Sequence, residues 1–248
     1  MKNHKSILLT LTLILLTSIS LAKQPLYSAA NNITFKNSGE TKSFVGNGFL
    51  INYKQKIYAV TAKHVLFETQ KSGIENIAIE EYIGQWLLKP FNTDGGDVVL
   101  GKLLNTNASE KLDMAVLNDD WLLFEVEKNN SSLVPLKLAT ETPKQNQQLS
   151  AFGCSYKNQD NCTQNKYTGT YVKSLENSLL MTLEDVNGLK GLSGAPVLNN
   201  NNEVVAIVSN VIPDKETGTV YFAPFSIKPV LKFLKNLNEL NNKSSTKR

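Results

Sequence analysis

The sequence predicts an all-β protein that ends in a single α-helix. Two observations carry this. Between residues 43 and 225 no stretch reads as a long amphipathic helix, and short apolar segments recur instead, divided by polar turns; that pattern points to a β-sandwich or barrel. After Pro229 the spacing changes, with Val230, Leu231, Leu234, Leu237 and Leu240 falling on one helical face. A proline near the first turn suits a helix start.

The apolar segments, in order, are 44–53, 57–61, 98–103, 114–117, 149–152, 167–172, 179–182, 197–198, 204–209 and 220–225. Turn-rich pieces such as Asn92-Thr93-Asp94-Gly95-Gly96 and Asn199-Asn200-Asn201-Asn202 separate them. The span 119–148 is the least regular and suits a crossover between two halves. No internal repeat or low-complexity linker is present. An apolar stripe like that of the C-terminal helix is expected to pack against its own domain.

Met1 to Lys5 carry Lys2 and Lys5, an apolar run follows from Ile7 to about Ile19, and Ser20-Leu21-Ala22 is a small-x-small exit. This is the layout of a secretory signal peptide, expected to be cleaved after Ala22. The alternative, a membrane anchor, is disfavoured because a full span needs about 20 apolar residues. Cleavage leaves 248 − 22 = 226 residues. The expected organisation is a signal peptide over 1–22, an N-terminal extension over 23–40, the main domain over 41–240 and a polar tail over 241–248. An exported location, periplasmic or secreted, follows.

Loss of two lysines takes the formal charge from +4 to 4 − 2 = +2. The remaining lysines are scattered, which argues against a nucleic-acid partner. No stable membrane association is expected once the signal is removed. Cys154 and Cys162 are the two cysteines. With one distant histidine they cannot supply four metal ligands, so neither a metal nor an organic cofactor is expected. In an exported chain they are expected to pair as a disulfide.

Three places carry chemistry. His64 is the one histidine of the mature chain, and it follows the apolar run Ile57-Tyr58-Ala59-Val60 in Thr61-Ala62-Lys63-His64. Its residue type suits proton transfer near neutral pH. Ser193 sits between glycines in Gly191-Leu192-Ser193-Gly194-Ala195-Pro196. A nucleophile attacking a carbonyl needs backbone N–H donors aimed at the developing oxyanion; the amides of Gly191 and Ser193 can converge if the chain turns tightly, which Gly191 permits. Asp113 stands at the head of the apolar run Met114-Ala115-Val116-Leu117, where a carboxylate is costly to bury unless paired. Each has an ordinary structural reading when taken alone.

Together, in the order His64, Asp113, Ser193, these motifs resemble those of the trypsin-like serine peptidases. Gly46-Asn47-Gly48-Phe49-Leu50-Ile51 resembles the strand before the histidine in bacterial members, including the glutamyl endopeptidases and the HtrA-like proteases. Val204-Val205-Ala206-Ile207-Val208-Ser209 resembles the strand after the serine. The resemblance covers roughly residues 40 to 230. It implies a chymotrypsin-like fold of two six-stranded antiparallel β-barrels with the C-terminal helix. It also implies a serine endopeptidase acting on proteins or peptides, with His64, Asp113 and Ser193 as triad.

The resemblance further implies that Asn187 forms the base of the pocket for the residue before the cut, with Ser209 and Val211 on its opposite wall. A neutral Asn187 and a branched Val211 favour small aliphatic residues, and the mature chain has no second histidine to bind glutamate. The sequence departs from the family pattern at Leu192, where digestive members carry an aspartate that pairs with a freed N-terminal amine. HtrA-like proteins continue into PDZ domains, whereas this chain ends soon after its helix, so substrate tethering by such a domain is not expected. The alternative function, a catalytically silent binding module on the same fold, is weakened because inactive relatives usually lose a triad member.

Overall fold

The computed structural model describes residues 24–183, 188–215 and 217–245. The expected signal segment, residues 1–22, lies outside the described residues, as does Asn187.

The N-terminal half forms seven strands: β1 (Ala29–Phe35), β2 (Thr41–Lys42), β3 (Asn47–Tyr53), β4 (Lys56–Thr61), β5 (Ile83–Lys89), β6 (Val98–Leu103) and β7 (Leu122–Asn129). Their order is β2-β1-β3-β4-β7-β6-β5, and β1 also pairs antiparallel with β5, from Ala30 opposite Lys89 to Phe35 opposite Ile83. Six strands therefore close into a barrel, with β2 appended outside. Closure removes the edges at which an open sheet would pair with other chains. β3 and β4 meet through Lys54 and Gln55, whose φ values of 49° and 67° are those of a two-residue hairpin turn that matches strand twist.

The C-terminal half repeats the plan with β8 (Lys137–Leu138), β9 (Gln148–Gly153), β10 (Asn165–Leu175), β11 (Ser178–Leu183), β12 (Pro196–Leu198), β13 (Glu203–Pro213) and β14 (Val220–Ser226). The order is β12-β9-β10-β11-β14-β13-β8, and β12 pairs with β13 to close the second barrel. The short β8 lies parallel to β13 outside it. The chain is thus two closed six-stranded antiparallel barrels, as the resemblance to the trypsin-like peptidases implies.

The helix α1 (Lys228–Ser245) begins one residue before Pro229. Val230 and Leu234 are buried in the cluster built mainly from the first barrel, and Phe233 meets Trp121 edge-on at 5.4 Å. The second half of the chain thereby reaches back to clamp the first. Among the described residues no helix is long and apolar enough to cross a membrane.

Two expectations need correction. Residues 29–35, expected within an N-terminal extension, are barrel strand β1. Residues 114–117, expected as a strand, lie in a 3₁₀ turn, Met114–Asp119, with Met114 exposed.

Candidate active site

His64 enters from a 3₁₀ segment, Lys63–Ser72, that starts where β4 ends. Its Nε2 lies 2.7 Å from Ser193 Oγ. Its Nδ1 lies 2.6 Å from Asp120 Oδ2, and its backbone N–H donates to Asp120 Oδ1 at 2.9 Å. Asp120 is fully buried and also accepts a hydrogen bond from the Ser209 hydroxyl. A buried carboxylate is tolerated only when paired and hydrogen-bonded, and the three donors from His64 and Ser209 meet that requirement.

The acid beside His64 is therefore Asp120, not Asp113. Asp113 is exposed and caps the 3₁₀ turn, accepting the Ala115 N–H at 2.8 Å. That turn takes the chain from Asp113 to Asp120, which precedes the true apolar strand, β7. An acid does stand at the head of an apolar strand here, but that strand is β7 and the acid is Asp120. Asp120-Trp121-Leu122-Leu123-Phe124 carries the signal that finds it.

Lys63 is almost completely buried, and its ammonium reaches Glu110 at 2.6 Å and Asp119 at 3.5 Å. It ties down both ends of the segment that delivers Asp120. The sequence alone gave Lys63 no such part.

On the serine side, Gly191, Leu192 and Gly194 shape the loop. Leu192 is fully buried in the second barrel's apolar cluster. Gly194 has φ +82°, and a Cβ there would lie 2.1 Å from the Asn47 carbonyl oxygen; only glycine lets the two barrels approach this closely. Asn47, on β3, stitches them together. Its N–H donates to the Ser193 carbonyl at 2.6 Å, and its side-chain amide donates to the carbonyls of Gly191 at 2.7 Å and Cys154 at 3.0 Å. Asn47 stood inside the Gly-x-Gly motif of the sequence, and its stitching part was missed there.

Among the described residues, the Gly191 and Ser193 amides have no protein acceptor. A cleft lined by Gly46, His64, Phe67, Glu68, Gly191 and Ser193 opens beside them. Such a site offers a hydroxyl within reach of a base, the base held by an acid, and unused N–H donors nearby.

These features match a known constellation, and the sequence matches a known family. The trypsin-like peptidase domain matches residues 46–207. The chain belongs to the trypsin-like peptidase family. It is a serine endopeptidase. No curated protein matches it. Among solved structures it is similar to one described as a Glu endopeptidase in complex with MPD, at 15% identity and a TM-score of 0.56, covering 85% of this chain and 90% of that one. At that identity the likeness speaks for the peptidase fold alone.

The expected pocket residues fare differently. Ser209 gives its hydroxyl to Asp120, so it belongs to the acid's hydrogen bonds and does not offer a free hydroxyl to a pocket. Val211 follows on β13, opposite Phe222, and is 52% exposed. Cys154 and Cys162 form the expected disulfide, with a Cα–Cα distance of 5.9 Å.

Proposed function

We propose that this peptidase cleaves peptide bonds with His64, Asp120 and Ser193 as its triad and the amides of Gly191 and Ser193 as its oxyanion hole. The observation that carries this is the unbroken hydrogen-bond chain from Asp120 through His64 to Ser193. In the proposed reaction Ser193 Oγ attacks the scissile carbonyl while His64 Nε2 takes the hydroxyl proton. The carbonyl oxygen gains the negative charge and rests on the two amides. His64 then returns the proton to the departing amine, leaving an acyl group on Ser193. Water repeats the sequence: His64 takes its proton, hydroxide oxygen bonds the acyl carbon, and the ester to Ser193 breaks with the proton returned to Oγ. Asp120 holds the imidazole in the tautomer with hydrogen on Nδ1 and balances the imidazolium charge. Cleavage is after small aliphatic residues, and the protein acts outside the cytosol, a reading supported by the leader-like N-terminus and the disulfide.

Incubation with casein and with a serine-directed phosphonate tests the mechanism. Proteolysis by the wild-type chain and phosphonate labelling at Ser193, both absent in Ser193→Ala, are expected. Intact casein and an unlabelled wild-type serine would instead identify a silent binding module.

A further inference from the structure

The disulfide-closed loop does more than staple β9 to β10. We infer that the backbone amide of Tyr156 on this loop is a positioning group that sets the Lys190–Gly191 peptide, and so keeps the oxyanion-binding Gly191 N–H turned toward the substrate. This rests on the site reading above and extends it to a residue outside the triad.

The Tyr156 N–H donates to the Lys190 carbonyl at 2.9 Å. No described peptide bond is cis, and in a trans peptide the C=O and the following N–H point in opposite directions. Fixing the Lys190 carbonyl on Tyr156 therefore turns the Gly191 N–H away from Tyr156, toward the cleft that His64 and Ser193 line, where it has no acceptor among the described residues. A half-turn of this one peptide would exchange the two groups and put a carbonyl where the oxyanion must sit.

Gly191 makes such a half-turn easy. Its φ is +94°, a conformation that side chains rarely adopt, and glycine crosses between positive and negative φ at little cost. The residue that allows the required geometry thus also allows its loss, and something else must select between the two. On the far side of Gly191 the next peptide is already pinned, since the Gly191 carbonyl accepts from Asn47. On its near side the Tyr156 amide is the group that holds it.

Tyr156 is itself firmly placed. Its ring lies against Gly191, where an added Cβ would come within 2.6 Å of a ring carbon. The ring also meets Phe44, edge-on at 4.8 Å, and Phe44 in turn meets Phe91 edge-on at 4.8 Å. Phe44 has φ 55°, unusual for a bulky residue and sustained only where surroundings over-determine it. Two residues before Tyr156, Cys154 exchanges hydrogen bonds with the Asn47 side chain. The far end of the loop is held at Cys162, whose carbonyl accepts from Asn92 at 2.8 Å. The disulfide joins these two anchored ends. The first barrel thereby braces a loop of the second, and that loop sets a peptide at the reaction centre.

The amide can be removed by itself. Tyr156 opens a 3₁₀ turn, a position that proline tolerates, and Ser155 before it has φ −94° and ψ 161°, the extended backbone that a following proline demands. Tyr156→Pro deletes the ring and the N–H, whereas Tyr156→Ala deletes the ring alone. Both would be assayed on a fluorescence-quenched peptide built around the wild-type chain's main casein cleavage site, with affinity for a peptidyl boronic acid measured alongside.

Relative to Tyr156→Ala, Tyr156→Pro is expected to lower kcat by about 10- to 1,000-fold, up to the worth of one oxyanion donor. KM should be nearly unchanged, because ground-state binding does not use the oxyanion donors. Boronate affinity should fall in step with kcat, and thermal melting should match that of the alanine variant. Equal kcat in the two variants overturns the proposal. Should Tyr156→Pro fail to fold, the double variant Cys154→Ala/Cys162→Ala, which frees the loop, takes its place, with the same loss of kcat expected and a wild-type kcat overturning the idea. A wild-type chain that neither cleaves casein nor labels with phosphonate defeats the site reading and this one together; an active wild type with equal variants defeats this one alone.

Discussion

His64 Nδ1 and Asp120 Oδ2 are 2.6 Å apart, and Asp120 is fully buried while Asp113 is exposed. The two acids should therefore behave oppositely when changed. Asp120→Asn is expected to lower kcat by about 10⁴-fold through the wrong histidine tautomer, the magnitude known for the analogous change in the family's reference enzyme. Asp113→Ala should leave kcat near wild type and reduce stability by about 1 kcal/mol, as loss of a helix cap does. Steady-state kinetics and urea melts of both variants check this. A collapse of kcat in Asp113→Ala, with Asp120→Asn active, would overturn the assignment.

Much of this was legible in the sequence, and the exceptions have physical causes. His64 and Ser193 were readable because their surroundings are constrained locally: an apolar strand before one and glycines around the other. Asp113 misled because Met114-Ala115-Val116-Leu117 is apolar enough for a strand, yet only Val116 of that run is buried. β1 was missed because Asn31 and Asn32 are poor strand formers. Asn31 earns its place through tertiary contacts, donating to Val45, Asn47 and Thr61 and accepting from the Trp86 indole. The parts of Asn47 and Lys63 depend on partners far along the chain, and no local pattern announces those.

Selectivity for the residue before the cut should be modest and should favour alanine, valine and similar side chains. Val208, directly before Ser209 on β13, is buried, and Val211 is exposed at the surface. Neither offers a charge or a hydrogen bond to a charged substrate side chain. A misfit methylene in an apolar pocket changes discrimination by about 1–3 kcal/mol, so preferences should be graded. Cleavage-site profiling on a proteome-derived peptide library measures this directly. A dominant preference for Arg, Lys or Glu would show that other residues line the pocket.

Alkaline pH should weaken the fold. The Tyr156 phenol is raised above its ordinary pKa of 10.0, by burial first and by the Glu68 charge second, while a backbone hydrogen bond with Gly46 opposes the shift. The folded chain thus holds this proton more tightly than the unfolded chain. Stability from this source is fully present below the unfolded value and falls as pH rises above it. Tyr58, raised mainly by burial, acts with the same sign. Urea midpoints measured between about pH 9 and about pH 11 should decline, and Tyr156→Phe, which keeps the ring against Gly191, should decline less steeply. An identical slope in wild type and Tyr156→Phe would rule out this contribution.

The buried ion pair between Lys63 and Glu110 should respond unequally to loss of its two partners. The Lys63 side chain is 1% exposed, whereas Glu110 is 26% and Asp119 is 54% exposed. Removing Glu110 strands a buried ammonium with one carboxylate 3.5 Å away. Removing Lys63 leaves carboxylates that water already reaches. Breaking a buried pair from one side costs about 3–5 kcal/mol when the remaining charge is uncompensated. Glu110→Gln should approach the lower end of that range, and Lys63→Met, similar in length and apolar, should be milder. Activity should show the reverse order of cause. Lys63 holds both Glu110 and Asp119, and Asp119 adjoins Asp120, so Lys63→Met should lower kcat through a less firmly placed His64–Asp120 pair while KM stays near wild type. Denaturant midpoints and kinetics for the two variants test both halves. If Lys63→Met proves the more destabilising, the penalty lies in lost packing of the lysine stem and not in a stranded charge.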